Sequence, residues 1–334
     1  MSTAARFALG DLTLQSGAVL PGAWLSYRTH GTLAADRGNV IFYPTSYGAQ
    51  HTDVDWLISP DGILDPTRWF IVQVDMLGNG LSTSPSHLAD PGPALTCTHV
   101  DNVYAQERLL REVFGITRLA LIYGWSMGAQ QAYHWGALFP ARVERIAALC
   151  GTARTTEHNR LFLLSLEAAL QADPVWNGTT FDGIPERGFR AFARIYASWA
   201  ASQEFYRRRE YLNQGYRDLD DYLARAWEPA YRRRHPLDHL AMLGIWRRND
   251  VAAHPCFGGD LARALSTITA RTLVMPASTD LYFTVADCVA EAALIPGAEV
   301  TVIDSWWGHR AGNPVYAPAE AGFIRTAVAR LLAE

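Results

Sequence analysis

The segment Gly124-Trp125-Ser126-Met127-Gly128 matches the pattern G-x-S-x-G. A serine hydroxyl is a weak nucleophile by itself. It needs a base to take its proton, and the base needs a third group to orient it. The context of Ser126 suits that task. Leu119-Ala120-Leu121-Ile122-Tyr123 reads as a strand and Ala129-Gln130-Gln131-Ala132-Tyr133-His134-Trp135 as a helix, so Ser126 falls on the turn between them. Small residues on either side tolerate the strained backbone such a turn imposes. The turn also brings the serine oxygen to a helix N-terminus, where backbone N–H groups can stabilise an oxyanion. In the fold class that carries its serine on such a strand–turn–helix elbow, the acid and the histidine follow the serine in chain order. The strand Thr272–Met275 runs into a loop containing Asp280, and the last strand into a loop containing His309. Asp304 is the alternative acid.

An oxyanion hole needs a second donor, expected in the loop after the third strand, Tyr43-Pro44-Thr45-Ser46-Tyr47-Gly48-Ala49. The N–H groups of Ser46 and Met127 are the expected pair, and Tyr47 serves instead if the loop is shifted by one residue. Asp75-Met76-Leu77-Gly78-Asn79-Gly80-Leu81-Ser82 lacks the third glycine of a dinucleotide fingerprint and is expected to be a tight loop beside the active site. His51, His134 and His254 lack a comparable placement and read as structural.

The elements that must position these residues are short apolar runs bounded by turn residues. They predict strands at Phe7–Leu14, Trp24–Thr29, Val40–Tyr43, Trp69–Val74, Leu119–Tyr123, Arg145–Cys150, Thr272–Met275 and Glu299–Ile303. Helices are predicted at Val100–Phe114 and Ala129–Phe139. The alternation implies an α/β sheet, mostly parallel, with an antiparallel start. Residues 155–259 break the rhythm, being helical in period and rich in Trp, Tyr and Arg. They are expected to form a helical cap inserted into a core of residues 1–154 and 260–334. The runs Arg207-Arg208-Arg209 and Arg232-Arg233-Arg234 read as solvated helix faces paired with acids.

Composition removes several alternatives. All 29 basic residues are arginine, which excludes Schiff bases, a P-loop lysine and Ser-Lys dyads. A formal charge of -4 gives no footprint for nucleic acid. Cys97, Cys150, Cys256 and Cys288 lack metal-type spacing, so no metal is expected, and their scatter suits a reduced cytoplasmic setting. The start, Met1 to Phe7, lacks the apolar run of a signal peptide, and no membrane span or membrane partner is expected.

Together these residues resemble the α/β-hydrolases: an eight-stranded sheet with helices on both faces and an inserted cap. More narrowly the chain is similar to the homoserine O-acetyltransferase family and its esterase relatives. Gly124-Trp125-Ser126-Met127-Gly128 with Gln130-Gln131 resembles that family's G-G-S-M-G-G-M-Q, and Asp280 with Phe283 its S-D-x-L-F-P. The resemblance implies Ser126, Asp280 and His309 as a catalytic triad. Pro44-Thr45-Ser46-Tyr47-Gly48 matches the family's H-A-L-T-G loop, which favours Ser46 as oxyanion donor. Family acetyltransferases usually have an acidic residue after the histidine, placed to meet the substrate's ammonium group, where this chain has Arg310. Tyr47, Trp125 and Arg310 are therefore the candidates for the substrate pocket. The implied function is hydrolysis of small, acetyl-type esters through an acyl-enzyme, with a small-molecule ester as partner and no cofactor. The alternative is an O-acyltransferase using acetyl-CoA as co-substrate. A homodimer is left open.

Overall fold

The computed structural model describes residues 4–333, so Met1, Ser2 and Thr3, at the start read above, lie outside the described residues. Eight strands form one sheet: β1 (Ala5–Thr13), β2 (Val19–His30), β3 (Val40–Pro44), β4 (Phe70–Val74), β5 (Leu121–Trp125), β6 (Arg145–Leu149), β7 (Arg271–Met275) and β8 (Glu299–Val300). Their order is β1-β2-β4-β3-β5-β6-β7-β8. β1, β2 and β4 pair antiparallel, and every pairing from β4 through β3 to β8 is parallel.

The parallel strands are apolar throughout because both of their faces are covered, and alternate side chains enter different layers. Phe42, Val72, Ile122, Ile146 and Val274 pack with Leu109 of the helix His99–Phe114 and Trp135 of the helix Met127–Leu138. Ile41, Tyr43, Ile71, Leu121, Tyr123 and Leu273 face the other way, onto Ile324, Val328 and Leu331 of the helix Pro318–Ala333. All eight expected strands are present. β5 starts later than its apolar run suggests, Leu119 making only an isolated bridge to Val143. β8 is cut to Glu299–Val300, with Ile303 bridging Ala277 alone.

Between β6 and β7 the chain contributes no strand to the sheet and instead forms helices, the longest being Glu157–Gln171, Glu186–Ala200 and Pro236–Arg247. The chain's exit and return meet at one place. Thr155 N donates to Asn249 O (2.9 Å), Val251 N donates to Ala153 O (3.1 Å), and the Arg154 guanidinium pairs with Asp250 (3.0 Å). The first arginine run pairs as expected, Arg207 and Arg208 both with Glu204. The second departs from a simple solvated face. Arg232 pairs with Glu186, but Arg233 and Arg234 reach across to Asp53, and Arg234 is buried. This run joins the helical segment to the loop after β3. Among the described residues no helix is long and apolar enough to cross a membrane.

Candidate active site

β5 ends at Trp125, and the chain turns through Ser126 into the helix Met127–Leu138. Ser126 has φ 57° and ψ −125°, a region that costs a non-glycine residue on the order of 1–3 kcal/mol. The flanking glycines permit it by close approach. A Cβ on Gly124 would lie 2.3 Å from Gly128 O, and one on Gly128 would lie 2.6 Å from Pro44 O. The serine side chain is thereby driven up off the end of the sheet.

The loop after β7 carries Asp280 and the loop after β8 carries His309. Gly308 N donates to Thr279 Oγ (3.1 Å), and Thr279 Oγ donates to Ser305 O (2.7 Å), so the two loops are tied together. Asp280 Oδ1 accepts from the Tyr282 and Phe283 amides (2.8 and 3.3 Å), which leaves Oδ2 to His309 Nδ1 at 2.7 Å. A carboxylate can only accept, so Nδ1 carries a proton, and in the neutral ring Nε2 is then the nitrogen with the lone pair. Nε2 lies 3.0 Å from Ser126 Oγ. Ser126, His309 and Asp280 are exposed by 2%, 3% and 5%, so bulk water does not compete for these bonds. Asp304, the alternative acid, accepts instead from Ser278 Oγ (3.2 Å). Cys150 Sγ lies with the Asp280 and His309 ligand atoms inside 4.8 Å. Burial pushes that thiol well up, keeping it protonated, while the other two groups are bonded to each other.

Met127 is the first residue of its helix, so its N–H has no acceptor within the helix. Among the described residues neither the Ser46 nor the Tyr47 N–H donates to another group, so both are unspent donors in the same loop. That loop is held from behind by residues 75–82. Met76 N donates to Thr45 Oγ (3.0 Å), Asn79 Nδ2 donates to Ala49 O (3.1 Å), and His51 N and Nδ1 both reach Asp75 (2.9 and 2.7 Å). The Asp75 hydrogen bond raises the His51 pKa. Residues 75–82, expected beside the active site, lie behind the loop that lines the cavity at Ser126 and buttress it.

Ser126 and His309 open into a cavity of about 510 Å³. The core lines it with Ser46, Tyr47, Trp125 and Arg310, so each pocket candidate faces it. Trp125 does not merely pack beneath the turn: its indole stacks on the His309 ring, with centroids 5.1 Å apart and planes 25° apart. Tyr282 meets the same imidazole edge-on at 4.8 Å. The opposite walls are Tyr196, Tyr222, Trp227, Tyr231 and His239 from the helical segment. Burial drives His239 down to about 3, so it is neutral. Its Nε2–H donates to Tyr231 O (2.8 Å), and Nδ1 accepts from Tyr47 OH (3.0 Å). These wall residues were not singled out from the sequence. Only the Trp/Tyr-rich composition of residues 155–259 hinted at them. Glu291 was missed as well. It is buried and accepts the Ala153 and Arg154 amides (2.6 and 2.9 Å) where the chain leaves the core. Burial raises its pKa to about 7.

A family profile described as "alpha/beta hydrolase fold" matches residues 52–309. The chain is 40% identical over 308 residues to a probable esterase of Corynebacterium glutamicum, covering 90% of this chain and 88% of that one. It is 37% identical over 311 residues to an ethyl acetate hydrolase of Pseudomonas veronii, with 90% and 87% covered. A homoserine O-acetyltransferase of Thermobifida fusca matches at 31% over 341 residues, with 89% and 86% covered. The crystal structure of an acetylester hydrolase from Corynebacterium glutamicum superposes with a TM-score of 0.95 at 36% identity, covering 99% of this chain and 96% of that one.

Proposed function

The chain belongs to the α/β-hydrolase family and is an ester hydrolase, and on that premise we propose that it cleaves acetyl-type esters through Ser126, His309 and Asp280. The observation that carries this reading is the His309 imidazole, with Nδ1 2.7 Å from Asp280 Oδ2 and Nε2 3.0 Å from Ser126 Oγ.

In this mechanism His309 takes the Ser126 proton as the oxygen attacks the ester carbonyl. The Met127 N–H, with that of Ser46 or Tyr47, stabilises the tetrahedral oxyanion. Collapse breaks the carbonyl–alkoxy bond, and His309 returns the proton to the departing alcohol. Water then attacks the acyl-enzyme with His309 again as base, releasing the carboxylic acid and restoring Ser126. Asp280 fixes the tautomer and stabilises each imidazolium. These steps use the chain's own groups, so no cofactor is part of the proposal. The partner is a small-molecule ester, self-association is not part of the reading, and the scattered free cysteines support a reduced, cytoplasmic setting.

Ser126→Ala is expected to abolish both fluorophosphonate labelling and p-nitrophenyl acetate turnover, and unchanged turnover would sink the assignment. Acyl transfer is the competing outcome of the second half-reaction. The relatives matched at 40% and 37% identity are esterases, and the acetyltransferase matches at 31%. Alcohol-dependent release of CoA from acetyl-CoA, outpacing hydrolysis, would move the assignment to transferase.

A further inference from the structure

Three arginines line the catalytic cavity: Arg225, Arg233 and Arg310. Two have carboxylate partners, Arg225 with Asp221 at 3.0 Å and Arg233 with Asp53 at 2.7 Å. Arg310 has none among the described residues. Its Nη1 donates to Tyr222 OH at 2.8 Å, a neutral acceptor whose ionisation is disfavoured by burial. The guanidinium carbon lies 5.9 Å from the Trp227 ring centre, 5.8 Å from that of Trp307 and 5.7 Å from that of Tyr316. These rings fix where the cation sits and give it modest cation–π attraction. They accept none of its N–H groups in the plane of the fork. Arg310 is therefore the lining arginine with no carboxylate beside it among the described residues, partly withdrawn from water, with most of its planar donor set unspent.

We infer that Arg310 is a subsite for a carboxylate carried on the alcohol half of the ester, so that the preferred substrates are acetyl-type esters of hydroxy acids. This rests on the esterase reading above. A half-buried guanidinium gains most from a group that supplies both charge and two parallel acceptors, which a carboxylate does. The placement on the alcohol half is part of the inference and takes the leaving alcohol to lie between His309 and the Arg310–Tyr222 pair. His309 delivers the proton to the leaving alcohol, and Arg310 is the next residue, lining the same cavity.

The test uses acetyl esters of two- to four-carbon hydroxy acids, each beside its uncharged primary-amide analogue, beginning with O-acetylglycolate and acetoxyacetamide. For the best-fitting pair, wild-type kcat/KM is expected to favour the carboxylate by about tenfold or more, mainly through KM and weakening as salt is added. Arg310→Gln should bring that ratio close to one, and Arg310→Lys should restore part of it. Turnover of the amides with no carboxylate preference at any chain length overturns this assignment alone. So does a preference that survives Arg310→Gln, or an equal loss on charged and uncharged esters in both variants. An Arg310-dependent preference for monoethyl succinate over ethyl acetate, without one for the hydroxy-acid esters, overturns the placement on the alcohol half. A wild type that turns over p-nitrophenyl acetate but neither ester of any pair overturns this assignment alone, and one that turns over none of these esters overturns the esterase reading and this assignment with it.

Discussion

The two sides of the catalytic cavity are held by different physics. On the core side, position is set by strand ends and by short directional bonds. Ser126 is forced into its backbone geometry, Asp280 is pinned by two amides, and Thr279 ties the acid loop to the histidine loop. The facing wall, from the helical segment, is held by aromatic packing such as Tyr47 on Tyr196 (5.6 Å) and Tyr196 on Tyr231 (5.1 Å), with Arg233 and Arg234 clamped on Asp53. Hydrogen bonds to ionised groups demand angle and distance, so they suit atoms that must meet within about 3 Å. Ring contacts are broad in geometry and tolerate repacking. The difference implies that reaction chemistry is brittle on one side, while substrate preference is adjustable on the other.

The largest expected effect strikes the brittle side. Asp280→Asn keeps the shape but presents an amide to His309, favouring the wrong tautomer, and kcat should fall by about 10⁴-fold with little change in melting temperature. A fall of tenfold or less, by steady-state kinetics, would mean that the acid merely packs.

Next is the joint between the two regions, where Glu291 holds the Ala153 and Arg154 amides. Its native pKa, about 7, lies above the ordinary value of 4.5, so the native state binds the proton more tightly than the unfolded chain. Its contribution to stability is present in full below the unfolded value and is lost as pH rises through about 7. Denaturant unfolding of wild type and Glu291→Gln across this window should differ in slope, by a total on the order of 3 kcal/mol. Parallel curves would show that burial does not perturb this carboxyl.

Trp125 belongs to the core by sequence yet packs as the opposite wall does, by ring contact. Trp125→Leu removes the aromatic face against the His309 imidazolium and should lower kcat about three- to tenfold, with Trp125→Phe recovering part of the loss. If KM changes and kcat does not, the indole shapes the pocket without supporting the base.

The smallest effect on turnover is expected at the clamp. Asp53 is partly exposed but faces the buried Arg234 as well as Arg233, so Asp53→Asn should cost about 1–3 kcal/mol in stability, measured by denaturant, and raise KM a few-fold with kcat little changed. A collapse of kcat would contradict the division between the two sides, because Asp53 touches no group in the proposed reaction.

Much of this was legible in the chain because it depends on neighbours in sequence. The elbow can be read from Gly124, Ser126 and Gly128, since one turn between one strand and one helix makes all three necessary. Asp280 and His309 were legible because each falls just past a strand, and parallel strands deliver their C-terminal ends to one rim. What escaped depends on partners far along the chain. Residues 75–82 were expected beside the active site, but that they buttress the loop after β3 was set by contacts to Thr45, Ala49 and His51. Arg234 read as part of a solvated face paired with acids, yet it is buried, with Asp53, 181 residues away, as its partner.

The sequence by itself determined the α/β architecture, the chain order of the candidate serine, acid and histidine, and the restriction of every fixed cation to a guanidinium. Those follow from periodicity, local backbone sterics and residue type, which act over a few residues. Only the tertiary structure decided that Trp125 stacks on His309, that Glu291 is buried at the joint, and that Arg310 faces the cavity without a carboxylate. Each is a statement about what is missing or present across space. Burial, charge compensation and ring contact are set by the packed environment as a whole, and no local pattern encodes them.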